Sequence, residues 1–226
     1  MLFLSGLVGA LLLLTAEARV GNSSDCEFCT ETEECLLYDL VCETDRYEVR
    51  HYSAVKWVYT TEKGYIMEFA VWRAVERLIE YISGENKEGK KIKMTTPVVV
   101  TIPENTRFWE KNEYVVSFLL PSEHQRNAPM PTDDKQVLFY DQPEMYMYVL
   151  GYGGWMTSLS DKIKSSSLSR ALNSAGAKYV KDLHFAVVYN SPMKWFDRHN
   201  EVWMLADGKP VCSSSEDMDI GFPFFN

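Results

Sequence analysis

The chain has 226 residues, of which 46% are hydrophobic and 13% aromatic, enough to bury a substantial core in one large domain or two small ones. Its formal net charge of −9 at pH 7 argues against a nucleic-acid-binding protein, because such proteins normally present a basic surface to the phosphates.

The N-terminal segment predicts export from the cell. Residues 2–14 are almost continuously apolar, and Ala16-Glu17-Ala18 follows as a small-x-small pattern suited to signal peptidase. No basic residue precedes this run, so an uncleaved signal anchor is the alternative, although the run is short for a bilayer. We expect residues 1–18 to be a signal peptide, the mature chain to be secreted without a membrane span, and Asn22 to begin a glycosylation sequon.

Five cysteines follow the predicted signal peptide: Cys26, Cys29, Cys35, Cys42 and Cys212. In an oxidising compartment they are expected to form disulfides, with one cysteine left over. Cys26-x-x-Cys29 also allows a redox or zinc site, but neither a thioredoxin-like unit nor a second ligand pair accompanies it. Residues 19–46 thus form an acidic arm that disulfides would tie to itself and, through Cys212, to the tail 207–226. The arm segment 33–41, EECLLYDLV, indicates a short helix.

The first strand predicted after the arm spans residues 47–60. Because side chains alternate along a strand, Val49, His51 and Val55 share its apolar side, whereas Arg50 and Tyr52 face the wetter side. His51 is therefore either a hydrogen-bonded core histidine or part of a site. Of the other histidines, His124 is predicted to be solvated and His184 to lie at a strand edge.

The remaining elements repeat one order twice. A helix at about 65–82 carries Ile66, Phe69, Val75, Leu78, Ile79 and Ile82 at helical spacing and ends before Gly84, and strands follow near 92–102 and 114–120. After a Pro-rich seam at 126–134 come strands near 136–141 and 144–151. A helix at about 156–174, with Leu159, Ile163, Leu168, Ala171, Leu172 and Ala175 on one stripe, and strands near 183–189 and 201–205 complete the second half. This order predicts an α+β fold in which two strand-helix-strand-strand repeats form an antiparallel β-barrel with two flanking helices.

Catalytic motifs are missing from the sequence. It contains no nucleophile elbow, metalloprotease helix, phosphate-binding loop or dinucleotide turn, so we expect no enzymatic activity. The loop 190–200, NSPMKWFDRHN, instead joins Met193, Trp195 and Phe196 to the cations Lys194 and Arg198. It either folds over the barrel mouth or offers a flat apolar surface and cations to a planar, anionic ligand such as a porphyrin.

Several segments in the correct order resemble the SOUL heme-binding protein family, from about residue 47 to residue 205. They are YEVRHYSAVKWV at 47–58, KIKMTTPV at 91–98, FLLPSEHQ at 118–125 and NSPMK at 190–194. The resemblance implies a distorted barrel over residues 47–206 that binds heme or another tetrapyrrole as a ligand, against the first helix and the loop 190–200. Within these elements it assigns Lys194 and Arg198 to the ligand, and Trp72, Met193 and Trp195 are our further candidate heme-binding residues. His51 stands where some family members have a proposed axial iron ligand.

The leading hypothesis is secreted, non-enzymatic binding of heme or a related tetrapyrrole for transport, buffering or scavenging. The alternative is an extracellular protein-interaction module with incidental heme affinity, in which the acidic arm faces a protein partner. Modification of a tetrapyrrole, such as metal removal, is a third hypothesis.

Overall fold

The computed structural model describes residues 19–104, 109–133 and 136–212, so the predicted signal peptide, residues 1–18, lies outside the described residues, as do residues 213–226 of the predicted tail. The arm contributes a two-stranded sheet of β1 (Val20–Asn22) and β2 (Glu34–Leu36). Nine further strands form one strongly curled antiparallel sheet, and helices α1 (Met67–Ile82) and α2 (Ser158–Ser174) pack against it. These strands are β3 (Asp39–Glu43), β4 (Glu48–Tyr52), β5 (Val55–Gly64), β6 (Val98–Pro103), β7 (Asn112–Leu119), β8 (Leu138–Gln142), β9 (Met145–Gly153), β10 (Leu183–Val188) and β11 (His199–Leu205).

The strand order confirms the predicted duplication. The strands lie in the order β3-β4-β9-β11-β10-β6-β7-β5-β8, so β6 and β10 meet at the centre of the sheet. Outward from this centre, β6, β7 and β5 of the first half follow the same order as β10, β11 and β9 of the second half. The strand that opens each repeat pairs with the opposite half: β4 pairs with β9, and β8 pairs with β5. This exchange joins the two halves into one sheet. The predicted α+β distorted barrel is thereby confirmed.

Two local predictions are wrong. Residues 33–41 form parts of β2 and β3 rather than a helix, because their backbone groups pair with Val20–Asn22 and with β4. The segment 47–60 is not one strand but two, since β4 ends at Tyr52 and β5 begins at Val55. The break at Ser53 and Ala54 lets β4 cross to the second half while β5 stays in the first.

The two faces of the sheet are covered by different parts of the chain. Adjacent residues on β6 show this, since Val100 packs with the α1 core and Val99 packs in a core that includes Cys35 and Leu36 of the arm. A third core lies under α2 and includes Leu168. The arm therefore buries the face opposite the helices, and Arg50 and Tyr52, predicted to be wet, are 1% exposed.

Each helix carries apolar side chains on its solvent-exposed side as well as on the side that contacts the sheet. In α1 the small residues Ala70 and Ala74 are fully buried, while Phe69 is 68% exposed. In α2 the predicted stripe holds for the second half of the helix, but Leu159 and Ile163 of the first turns are exposed and Asp161 is buried instead. The predicted helix ends are confirmed, with Gly84 and Gly176 at positive φ after them.

The disulfides confirm the predicted attachment of the arm. Cys29 pairs with Cys35 within the arm, and Cys42 pairs with Cys212, which fastens the arm to the start of the tail. Cys26 is a buried free thiol whose Sγ lies within 4.8 Å of the sulfurs of Cys29 and Cys35. Burial raises the pKa of the Cys26 thiol. In the described part of the chain, neither helix has the length and apolar character needed to cross a membrane.

Candidate functional site

A groove of about 740 Å³ runs between α1, the sheet and the segment after β10. Its floor comes from β6 and β7, where Val98 and Phe118 are direct cross-strand partners. Most of the lining is apolar, and it is completed by residues of the arm and of the turn before α2. The lining side chains include Met67, Val71, Trp72, Val75, Ile79, Met94, Val98, Val100, Phe118, Trp155, Met156, Tyr189 and Pro192.

Helical periodicity in α1 creates one wall of the groove. Ala70 and Ala74 are small enough to bring the helix close to the sheet, while Val71, Trp72 and Val75 line the groove. Trp72 is 57% exposed although it is the largest side chain on this wall. An exposed indole facing an apolar cleft is typical of a binding surface for a flat ligand.

The opposite wall is held together by Arg198. Its Nη1 donates to the carbonyls of Ser191 and Lys194, both at 2.6 Å, and its Nη2 donates to the carbonyl of Asn190 at 3.0 Å. The guanidinium also lies 4.2 Å from the centroid of the Trp155 ring. Burial lowers the pKa of Arg198, with Glu31 acting in the opposite direction. Arg198 therefore shapes the loop and supports Trp155.

Charged residues at the rim of the groove form hydrogen bonds with the protein itself. Glu31 accepts from the backbone and side chain of Ser191 at 2.9 and 2.8 Å, and Glu68 does the same with Ser158 at 2.8 and 2.7 Å. Burial raises the pKa of both carboxyls, but the hydrogen bonds outweigh it and the net shift is downward. The Nζ of Lys93 donates to Glu33 at 2.6 Å. Sequence reasoning missed Lys93, although KIKMTTPV contains it.

The comparison with known proteins agrees with this geometry. The model of the SOUL heme-binding protein family matches residues 33–205. The chain belongs to the SOUL heme-binding protein family. Among its relatives, "Heme-binding protein 2" of Homo sapiens is 30% identical over 165 residues, covering 73% of this chain and 80% of that protein. "Heme-binding protein 1" of Xenopus tropicalis is 31% identical over 160 residues, covering 70% and 83%.

Solved structures show the fold alone. The C-terminal domain of EcmrR superposes with a TM-score of 0.53 at 10% identity, covering 76% of this chain and 98% of that domain. A hydrolase from Listeria innocua superposes with a TM-score of 0.50 at 10% identity, covering 74% and 93%. Their functions do not transfer at this identity.

The structure distributes the predicted heme-binding residues between the lining and the rim of the groove. Trp72 and Arg198 line it. Met193 and Trp195 lie on the loop just outside, 83% and 72% exposed, and Trp195 contacts the groove through Trp155, with ring centroids 6.0 Å apart. Lys194 is half-buried and its Nζ lies 3.2 Å from the Thr30 hydroxyl of the arm.

His51 lies outside the groove. Its ring lies 3.5 Å from the Asp39 carboxylate and 3.8 Å from Glu144, beside Tyr146 on the neighbouring strand. It shares the strand face of Val49 as predicted, but it is half-buried and takes no part in the apolar cores. Because no described histidine lines the groove, a heme seated there would have neither His51 nor another described histidine as an iron ligand.

A second polar cluster lies on the arm side of the sheet. Glu201 is fully buried, and its carboxylate accepts from Arg50 at 2.9 Å, Tyr189 at 3.1 Å and Trp203 at 2.6 Å, while His199 Nε2 lies 2.8 Å away. Burial raises the pKa of Glu201, but Arg50 and the other partners outweigh it and hold the pKa below its ordinary value. The alternation of β11 does not reveal this residue, because a lone glutamate in a strand usually faces solvent.

The remaining histidines are more buried than predicted. His124 is 2% exposed, and its Nδ1 lies 3.3 Å from the Asn127 carbonyl. His184 is 3% exposed, and its two ring nitrogens lie 2.6 Å from Glu104 and 2.9 Å from Asp161. Burial lowers the pKa of His184, but the two carboxylates outweigh it and raise the pKa to about 9. This cluster fastens the first turn of α2 to β10 and lies apart from the groove.

Proposed function

We propose that this protein binds heme or a related tetrapyrrole in the groove between α1 and the segment 188–198. The observation that carries the proposal is the groove itself: about 740 Å³ of largely apolar space, with the indoles of Trp72 and Trp155 in its lining. A porphyrin ring is flat and apolar, so it loses contact with water in such a cleft and stacks on exposed indoles. Membership of the SOUL family and the names of the relatives support this ligand.

The proposed ligand has two carboxylate side chains, and the rim offers cations to them. Lys93 lines the groove, and Lys194 lies beside it on the loop. Lys93 would have to leave Glu33 to pair with a propionate, and the free energy lost is small because the ion pair is exposed. Arg198 is bonded to three carbonyls, so we assign to it the shape of the loop and to the lysines the pairing with propionates.

We further propose that the binding is non-enzymatic. Iron held by the ring would supply any redox chemistry, whereas the charged lining residues Glu31, Glu33, Glu68, Lys93 and Arg198 are each hydrogen-bonded to the protein. Glu31, Glu68 and Arg198 are therefore committed to hydrogen bonds that hold the walls of the groove, and we assign Lys93 to a propionate. The relatives carry names of binding proteins. Transport, buffering or scavenging of the ligand are all consistent with a protein that binds it without catalysing a reaction.

Secretion is also part of the proposal. The apolar run 2–14 with its small-x-small site predicts a signal peptide, and two disulfides suit an oxidising compartment. Asn22 is exposed, so a glycan could be attached to it. Expression in a secreting animal cell should release a chain that starts close to residue 19 and shifts in mass on enzymatic deglycosylation. A chain that stays in the cytosol with residue 1 intact would contradict this part.

The test of the function is a hemin titration of the mature protein, followed by the Soret absorption. Trp72→Ala should weaken binding by about tenfold or more, because the ring loses its stacking partner. Phe69→Ala is the matched control, since Phe69 is an exposed aromatic residue three positions earlier on α1 that does not line the groove. Equal affinities of the two variants would place the ligand elsewhere, and a wild type without a saturable shift would remove heme from the proposal.

A further inference from the structure

An apolar rim surrounds one side of the groove. We define the apolar rim as the exposed residues Phe69 and Trp72 of α1, Leu159 and Ile163 of α2, and Met193, Trp195 and Phe196 of the loop after β10. Met193 and Phe196 are 83% and 82% exposed, and Phe69 and Leu159 are each 68% exposed. Isolated exposed apolar residues are normal, but so many large ones on neighbouring elements mark an interaction surface.

Hydrogen bonds and ring contacts bring the three elements together. Glu68 of α1 accepts from the backbone and hydroxyl of Ser158, so the first turns of both helices are in contact next to Phe69 and Leu159. Trp155 lines the groove and contacts Trp195 of the loop at 6.0 Å. Phe69, Leu159 and Trp195 therefore project from the tips of three elements that meet at the mouth of the groove.

The shape and charge of this surface indicate its partner. Apart from Trp72, none of its residues lines the groove, so the surface offers exposed side chains more than a concave site for a helix or strand of another protein. The charges next to the rim nearly balance, since Arg73, Lys162, Lys164 and Lys194 are offset by Glu68, Glu76 and Asp197, and Arg73 is paired with Glu62. The whole chain carries −9. A protein of this charge is repelled by anionic lipids, whereas indole, phenyl and thioether groups partition into the interface of a neutral bilayer.

We propose that the apolar rim docks the protein on a zwitterionic lipid surface, with the mouth of the groove facing the bilayer. Tryptophan and phenylalanine at the tips would enter the headgroup region, as in proteins that lie on a membrane without crossing it. A lipophilic ligand could then pass between the bilayer and the groove without crossing water. The docking itself needs no ligand, so it stands or falls independently of heme binding.

Co-sedimentation with phosphatidylcholine vesicles, without heme, tests the proposal. Wild-type protein should sediment with the vesicles, and the double variant Trp195→Ser/Phe196→Ser should bind at least about tenfold more weakly, because two large apolar side chains no longer leave water. Leu40→Ser is the matched control. Leu40 is 52% exposed on β3 and pairs with Arg50 of β4, which in turn pairs with Met147 of β9. Met147 lies six residues along β9 from Gly153, the residue that pairs with His199 at the end of the loop. Leu40 is therefore remote from the loop residues of the apolar rim. It should leave vesicle binding unchanged.

The outcomes separate the possible partners of the rim. Addition of phosphatidylserine to the vesicles should weaken wild-type binding, and binding that requires this anionic lipid would overturn the charge argument. No sedimentation of the wild type, or an equal loss in Leu40→Ser, would overturn the proposal. So would a dimer in gel filtration that the double variant dissociates while vesicles bind neither protein.

Discussion

The Nη1 of Arg50 donates to Glu201 Oε1 at 2.9 Å, and both side chains are almost fully buried between the sheet and the arm. Tyr38 of the arm covers the guanidinium at 4.0 Å from its ring centroid. A strand face that alternation predicts to be wet is thus a buried ionic cluster, and its stability depends on each charge keeping its partner.

Removal of one partner should therefore be costly. Glu201→Gln leaves the Arg50 guanidinium buried without its main counter-charge, so we expect the free energy of unfolding to fall by about 3–5 kcal/mol. Urea unfolding measures it. Glu113→Gln is the control, since Glu113 forms an exposed pair with Lys63 at 3.8 Å and should cost less than about 1 kcal/mol. Similar losses in both variants would show that the buried cluster contributes little.

The stability of the protein should depend on pH through His184. Asp161 and Glu104 raise the pKa of His184 to about 9 from an ordinary value of 6.5, so the protonated ring stabilises the folded state. This contribution is fully present below pH 6.5 and is lost as pH rises through about 9. We expect a decrease of the order of 3 kcal/mol in the free energy of unfolding over that interval.

A histidine variant distinguishes this cluster from other titrating groups. In His184→Gln the decrease between pH 6.5 and about 9 should largely disappear, while the protein is less stable at the acidic end. Urea unfolding at several pH values gives the slope, and NMR of the ring protons gives the pKa directly. A ring that titrates near 6.5 would contradict the role of the two carboxylates.

Binding of the tetrapyrrole should depend on the ring more than on the iron. No described histidine or cysteine lines the groove, and the hydroxyl of Tyr189, which does line it, donates to Glu201. The thioethers of Met67, Met94 and Met156 are weak ligands for ferric iron, so hemin and metal-free protoporphyrin should bind with affinities that differ by less than about tenfold. Fluorescence quenching of the protein measures both ligands. His51→Ala should leave the Soret shift of hemin unchanged, and loss of the shift in that variant would instead make His51 the axial ligand.

The disulfide between Cys42 and Cys212 joins residues 170 positions apart. Cys42→Ser/Cys212→Ser should lower the free energy of unfolding by about 2–4 kcal/mol, because the unfolded chain regains the entropy that this long loop restricts. Thermal and urea unfolding measure the loss. Hemin binding should survive in conditions where the variant is folded, since neither cysteine lines the groove. An unchanged stability would contradict the attachment of the tail.

The architecture could be predicted from the sequence because it rests on local signals. Gly84 and Gly176 mark the helix ends, and the strand-helix-strand-strand order appears twice in the periodicity. The segment NSPMK and the cations of the loop 190–200 likewise predicted the loop that forms one wall of the groove. The pairing of β4 with β9 of the other half could not be predicted in this way, because the sequence of one strand does not indicate which other strand it pairs with.

The lining of the site shows the same division. Trp72 and Arg198 were predicted and line the groove, but Lys93 was missed, because nothing in a local pattern shows that residues 91–98 pass under α1. Arg198 was predicted as a free cation, and the structure instead bonds it to three carbonyls of its own loop. These hydrogen bonds depend on how the loop folds back on itself, and the spacing of residues along the sequence does not predict that.

The sequence by itself determined the family, the duplicated α+β order, the two helices and the attachment of the arm by disulfides. Local propensity, turn residues and cysteine placement act over a few positions and are legible in one dimension. The tertiary structure alone decided which face of each strand is dry, where His51 and Glu201 lie, and that Phe69, Leu159 and Trp195 meet at one rim. Burial depends on which distant segment covers a surface, and here that segment is an arm whose own sequence indicates no such role.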